Sequence, residues 1–173
     1  GAAWAFSRLG KNVVIEEGAL EEALSPLPVS VLRLLPEAAA LLRQVAAVQP
    51  PGRVQYAAAD GLALRADADQ LQQALINLVR NAVEATPAGG APVDLRALRG
   101  KDAVVFEVED SGPGVANIDN LFVPFFTTKP GGSGIGLVLA RQVAEAHGGT
   151  LSLQNRVGHT GCIARLTIPG AGS

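Results

Sequence analysis

The sequence predicts a two-layer α/β sandwich, a mixed β-sheet covered on one face by about three helices. Three observations lead there. Strand-like and helical patterns intermingle, with hairpins as well as crossovers, which fits a mixed sheet better than a doubly wound parallel one. The clearest helix has one apolar face and so one face to bury. Apolar residues make up 48% of the 173, enough for one real core at a length that favours one domain or one plus a fragment.

Positions 1–24 carry scattered apolar residues without a sustained period and end in the breakers Ser25-Pro26-Leu27-Pro28, so this stretch reads as a helical lead-in or linker. Val29 to Leu34 looks like a strand. Pro36 suits the first turn of a helix whose face is Leu35, Ala38, Leu41, Leu42, Val45 and Val48, stopped by Pro50-Pro51-Gly52. Alternation at Val54, Tyr56 and Ala58, then Leu62 and Leu64, suggests two short strands. Asp67 with Gln70 three residues on resembles a capping box, and Leu71, Ala74, Leu75, Leu78, Ala82 and Val83 recur at three and four, giving a helix that closes at Pro87. Val93 to Leu98 and Ala103 to Glu109 read as a hairpin across Arg99-Gly100-Lys101-Asp102. After the Gly-rich section from Ser111 to Gly136 comes a last helix (Leu137, Ala140, Val143, Ala144) ended by Gly148-Gly149. Strands from Thr150 to Leu153 and from Cys162 to Ile168 complete the chain.

Charge excludes several functions. With 14 Lys and Arg against 16 Asp and Glu there is no basic field to hold a nucleic-acid backbone or an anionic membrane. Apolar runs fall far short of the roughly 20 residues that span a bilayer, and no signal peptide is apparent. The single Cys162 excludes a disulfide framework and a cysteine-rich zinc site, in keeping with a reducing cytoplasm. A chain without Met that begins at Gly1 is expected to be a segment of a longer protein.

Four features depart from a plain structural domain. Asn77, Asn81 and Glu84 share one helical face, and Asn is a poor helix-interior residue, so two of them a turn apart suggest amides aimed at a polar ligand or hydrated cation. Asp110-Ser111-Gly112-Pro113-Gly114 places a carboxylate at a strand end, where it can accept hydrogen bonds from the amino group of a planar ring while glycines let backbone approach the ring face. Gly131-Gly132-Ser133-Gly134-Ile135-Gly136-Leu137 runs straight into a helix, the way backbone N–H groups are presented to phosphates. Between them, three of the five Phe fall within Phe122 to Phe126, a concentration that fits a lid, and Lys129 stands where it can reach a terminal phosphate.

In that order these texts resemble the asparagine, first glycine, phenylalanine and second glycine boxes of the sensor histidine kinase catalytic domain, in the superfamily that also holds gyrase, Hsp90 and MutL. They read Asn77-Leu78-Val79-Arg80-Asn81-Ala82, Asp110-Ser111-Gly112-Pro113-Gly114, Phe122-Val123-Pro124-Phe125-Phe126-Thr127-Thr128-Lys129 and Gly132-Ser133-Gly134-Ile135-Gly136-Leu137. The wording is similar to that of the nitrogen-regulation-like kinases. The resemblance implies the Bergerat ATP-binding fold over 27–170, with 1–26 as a linker or the tail of a dimerisation helix. It implies ATP and magnesium as cofactors, Asn81 as the magnesium ligand with Asn77 and Glu84 beside it, and Asp110 as the adenine-binding carboxylate over a floor of Gly112 and Gly114. Thr127, Thr128 and Lys129 belong to the lid, and Gly132, Ser133, Gly134, Ile135, Gly136 and Leu137 cradle the phosphates.

In the gyrase, Hsp90 and MutL branches the position four before the magnesium Asn is usually Glu, which activates water. Here it is Asn77, and an amide is no general base. The resemblance therefore implies transfer of the γ-phosphoryl group to a His on a separate dimerisation domain, and from there to a response-regulator receiver domain. Neither His147 nor His159 suits the acceptor role, His147 being read as a capping or packing residue. The segment is expected to be cytoplasmic and monomeric, and the full-length protein a homodimer, with membrane attachment left open. Two alternatives stay open: a Ser/Thr protein kinase of the anti-sigma or dehydrogenase-kinase type, and a nucleotide-sensing module without transfer. Cys162 stands where the family often has Thr, a change expected to loosen nucleotide affinity through the weak hydrogen bonding of the thiol.

Overall fold

The computed structural model describes residues 33–35, 38–123 and 134–170. The expectations for the lead-in and for Phe125, Phe126, Thr127, Thr128, Lys129, Gly132 and Ser133 lie outside these residues. Strand β1 (Arg33–Leu35) is followed by helix α1 (Ala38–Ala47), β2 (Val54–Ala58), β3 (Leu64–Ala66), α2 (Ala68–Ala85), β4 (Val93–Gly100) and β5 (Ala103–Glu109). A short 3₁₀ turn (Ile118–Phe122) then precedes α3 (Gly136–Ala146), β6 (Thr150–Asn155) and β7 (Cys162–Pro169).

Five strands form one mixed sheet in the order β2-β4-β5-β7-β6, with β2 parallel to β4 and the remaining neighbours antiparallel. A second sheet, β1 with β3, has two short antiparallel strands. Period-2 alternation sends Val93, Leu95, Ala97, Val104, Phe106, Val108, Ala164, Leu166 and Ile168 to one face of the large sheet, all buried. The helices cover this face with Leu41, Leu42 and Val45 from α1, Leu71, Leu75, Leu78 and Val79 from α2, and Ala140, Val143 and Ala144 from α3, forming one core. Among the described residues the observed architecture is thus the two-layer sandwich with three helices.

The opposite face is polar and ordered by charge. The register aligns Arg96, Glu107 and Arg165 across β4, β5 and β7. Arg165 Nε lies 2.8 Å from Glu107 Oε2 and Arg96 Nη1 3.6 Å from Glu107 Oε1. Arg96 also meets Asp94 at 3.0 Å, a hydrogen bond that raises the guanidinium pKa further. Such opposite-charge cross-strand pairs fix the register on a face without apolar cover.

Four local expectations change. Leu35 is the end of β1 instead of a helical residue, and α1 stops at Ala47, which leaves Val48 60% exposed in the following turn. Tyr56 is 44% exposed because β2 is an edge strand, where helix cover thins. The hairpin strands run closer than expected, with Gly100 paired to Ala103 across a two-residue turn that Asp102 completes at φ 55°. In α3 the buried set includes Val138, while Leu137 is half-buried against the core.

Candidate functional site

Helix α2 is the element from which the site is built. Asp67 caps it, its Oδ1 accepting from Gln70 N at 3.2 Å, and Asp69 in the first turn suits the helix dipole. At the far end Thr86 N–H returns to Ala82 O, and Arg53 Nη2 donates to Val83 O at 2.8 Å and Thr86 O at 2.9 Å. Arg53 satisfies carbonyls the helix cannot, a role the sequence hides because the partners lie 30 and 33 positions away.

The two ends of the expected ligand cradle both touch α2. At its C-terminus, Gly112 lies so close that a Cβ there would stand 2.6 Å from Ala85 O. At its middle, Asn77 Nδ2 donates to Gly136 O at 3.5 Å, where α3 begins. The carboxylate loop after β5 and the start of α3 at Gly136 are therefore held on one helix, with Asn81 between the Asn77 and Ala85 contacts.

Asp110, 8% exposed, sits just beyond β5. Its Oδ1 accepts from Gly112 N at 2.9 Å and Cys162 N at 3.2 Å, while its own N–H donates to Cys162 O at 3.0 Å. Among the described residues no donor reaches Oδ2, so the carboxylate is oriented on one oxygen and can accept on the other. Gly114 follows at φ +81°, where an L side chain is strained. Beside it Asn155 Oδ1 accepts from Val115 N and Asn155 Nδ2 donates to Val115 O, both at 2.8 Å.

On α2 the asparagine face divides by burial. Asn77 is 4% exposed, and its Oδ1 accepts from Arg80 Nη2 at 2.9 Å and Gln73 Nε2 at 3.2 Å. Asn81 is half-buried and Glu84 exposed. Gly134 has φ +69°, and Ile135, the N-cap of α3, has no side-chain capping hydrogen bond of its own. Leu137 on the first turn of α3 packs on the core. The Phe-rich segment enters the described structure only through its start, where Arg141 lies 5.2 Å above the Phe122 ring centroid.

Cys162 is 7% exposed, and burial with the nearby Asp110 charge pushes its thiol up to about 11. The thiol therefore stays protonated at neutral pH, and the residue orients Asp110 through its backbone N–H, which any residue type other than Pro offers. His147 caps α3, with Nδ1 2.7 Å from Val143 O and Nε2 accepting from Asp67 N, the structural role read from the sequence. Among the described residues no three His, Cys, Asp or Glu side chains cluster to hold a metal, and no helix is long and apolar enough to cross a membrane.

The family described as histidine kinase-, DNA gyrase B-, and HSP90-like ATPase matches residues 66–172. The sensor histidine kinase ZraS of Salmonella typhi is 35% identical over 108 residues, covering 61% of this chain and 23% of ZraS. The sensory histidine kinase/phosphatase NtrB of Klebsiella oxytoca is 36% identical over 106 residues, 54% of this chain and 30% of NtrB. The match spans between 17% and 30% of the length of curated relatives such as these. The catalytic domain of histidine kinase ThkA superposes with a TM-score of 0.69 at 28% identity, over 81% of this chain and 96% of that one. Full-length ShkA, in complex with AMPPNP, gives a TM-score of 0.74 at 28% identity over 97% of this chain and 34% of that one. Matching in sequence and fold alike, the chain belongs to the histidine kinase-, DNA gyrase B- and HSP90-like ATPase family, as an ATP-binding catalytic domain of the sensor histidine kinase type.

Proposed function

We propose that this domain binds magnesium-ATP and delivers its γ-phosphoryl group to a His on a separate dimerisation domain, from which a receiver domain takes it. The observation that carries the reading is Asp110, buried, fixed on Oδ1 and, among the described residues, with no donor on Oδ2, which suits an acceptor for the adenine amino group. Gly112 and Gly114 let backbone lie against the ring. Gly134, Ile135 and Gly136 bring the N-terminal, positive end of the α3 dipole to the phosphates, where anions are stabilised. Asn81 offers one amide oxygen to the cation. A magnesium ion, which takes oxygen ligands, would be held by the Asn81 amide oxygen together with the bound nucleotide. Magnesium there supplies charge neutralisation on the transferring phosphoryl group. Lys129, Thr127, Thr128, Gly132 and Ser133 complete the reading as the lid and the near side of the cradle.

Asn77 supports transfer over hydrolysis. It is an amide where a water-activating branch has Glu, and its oxygen is engaged by Arg80 and Gln73. The test is calorimetric titration with a non-hydrolysable ATP analogue, with and without magnesium, beside Asp110→Asn. Magnesium-dependent binding weakened about 10- to 100-fold in the variant supports the adenine assignment, since hydrogen bonds to charged groups are of that strength. Wild-type binding in Asp110→Asn refutes it. Radiolabel transfer from ATP to an added His-bearing dimerisation domain then tests the kinase step.

A further inference from the structure

The β6–β7 hairpin holds the Asp110 loop by more contacts than strand pairing supplies. Asn155, the last residue of β6, faces Val115 with both amide functions, at 2.8 Å each, as a neighbouring strand would. Its Oδ1 lies where a Cβ on Gly114 would approach to 2.9 Å. The next residue adds a second tie. Arg156 Nη1 donates to Asp110 O at 3.4 Å and to Thr160 O at 3.2 Å, and Nη2 pairs with Glu109 Oε1 at 3.0 Å. Gly161, at φ +120°, lets the returning strand press against Asp110 O, which a Cβ would strike.

We propose that Asn155 is a positioning residue for adenine recognition. It fixes the Gly114–Val115 backbone against β6, and so sets the distance between the floor of the pocket and the Asp110 carboxylate. Only a side chain that both donates and accepts can make this pairing. A carboxylate would keep the bond from Val115 N but set an oxygen against Val115 O, and an aliphatic residue would make neither bond. Asn155 is exposed, so its removal leaves the core intact and its effect falls on the loop. This inference rests on the reading of Asp110 as the adenine acceptor.

The experiment compares affinity for a non-hydrolysable ATP analogue with that for its purine-riboside counterpart, which lacks only the 6-amino group. The ratio of the two reports the amino-group contact and is insensitive to the fraction of folded protein. Wild type is expected to favour the ATP analogue about tenfold or more. Asn155→Ala should cut the ratio about three- to tenfold with an unchanged melting temperature, and the isosteric Asn155→Asp, which keeps only the bond from Val115 N, should fall short of the wild-type ratio. A wild-type ratio in Asn155→Ala, or full recovery in Asn155→Asp, overturns the inference if Asp110→Asn has lost the preference. A preference that survives in Asp110→Asn overturns the underlying reading instead.

Discussion

The backbone N–H of Asp67 donates to Nε2 of His147 at 2.9 Å, joining the cap of α2 to the cap of α3 across 80 positions of sequence. Because Nε2 accepts here, Nδ1, 2.7 Å from Val143 O, is the ring nitrogen placed to donate. His147→Ala removes the acceptor of a backbone donor that is nearly out of water. The expected cost is about 1–2 kcal/mol, a fall of about 3–6 °C in melting temperature. An unchanged melting temperature in calorimetry would show that water replaces the ring.

Gly112 has no room for a methyl group. Its Cβ would meet the backbone Ala85 O at 2.6 Å, so the loop after β5 and the end of α2 must part. Gly112→Ala should cost about 2 kcal/mol and weaken the ATP analogue at least tenfold, because Gly112 N also orients Asp110. Thermal unfolding and calorimetry on the same sample check both effects, and affinity equal to wild type would exclude the loop from the pocket.

Gly136 separates folding from binding in the opposite sense. A Cβ there would stand 3.8 Å from the Asn77 side chain, an ordinary contact, and alanine suits a helix better than glycine by up to about 1 kcal/mol. Gly136→Ala should therefore keep or raise the melting temperature while lowering nucleotide affinity, if phosphates lie against the start of α3. Gly134→Val should lose binding as well, with added strain at φ +69°. Undiminished affinity in both variants would move the phosphate site elsewhere.

Cys162 gives the fold an alkaline limit. Its thiol, normally near 9, is pushed up to about 11 by burial and by Asp110, so the folded state holds the proton more tightly than the unfolded chain does. That stability is complete below the unfolded value and is lost as pH rises from about 9 to about 11, amounting to about 2 kcal/mol. Cys162→Ala should flatten this part of the pH profile in denaturant titrations. An identical alkaline slope would assign the loss to other groups. Cys162→Thr, measured for nucleotide affinity, separates the side chain from the backbone N–H that holds Asp110.

What the sequence made legible was local. Helix α2 announces itself through Asp67 and a three-four apolar repeat, and the β4–β5 hairpin through two alternating runs around a short polar turn. Asp110 stood out because glycines follow it. Its anchors did not, since Cys162 lies 52 positions away and the Asn155 pairing with Val115 spans 40. Arg53 gave no signal for the same reason. The three-residue strands β1 and β3 are too short to show a period, which is why a separate small sheet was not foreseen. Glu107 and Arg165 were within reach, because charged residues alternate with apolar ones in β5 and β7 and mark the uncovered face.

Leu64 stands at a junction, with Leu35 paired to it in the ladder of β1 and Gly170 bridged to it antiparallel. Leu64 thereby couples the small β1–β3 sheet to the residue that follows β7, so among the described residues the large sheet and the small one share a single leucine as their backbone link.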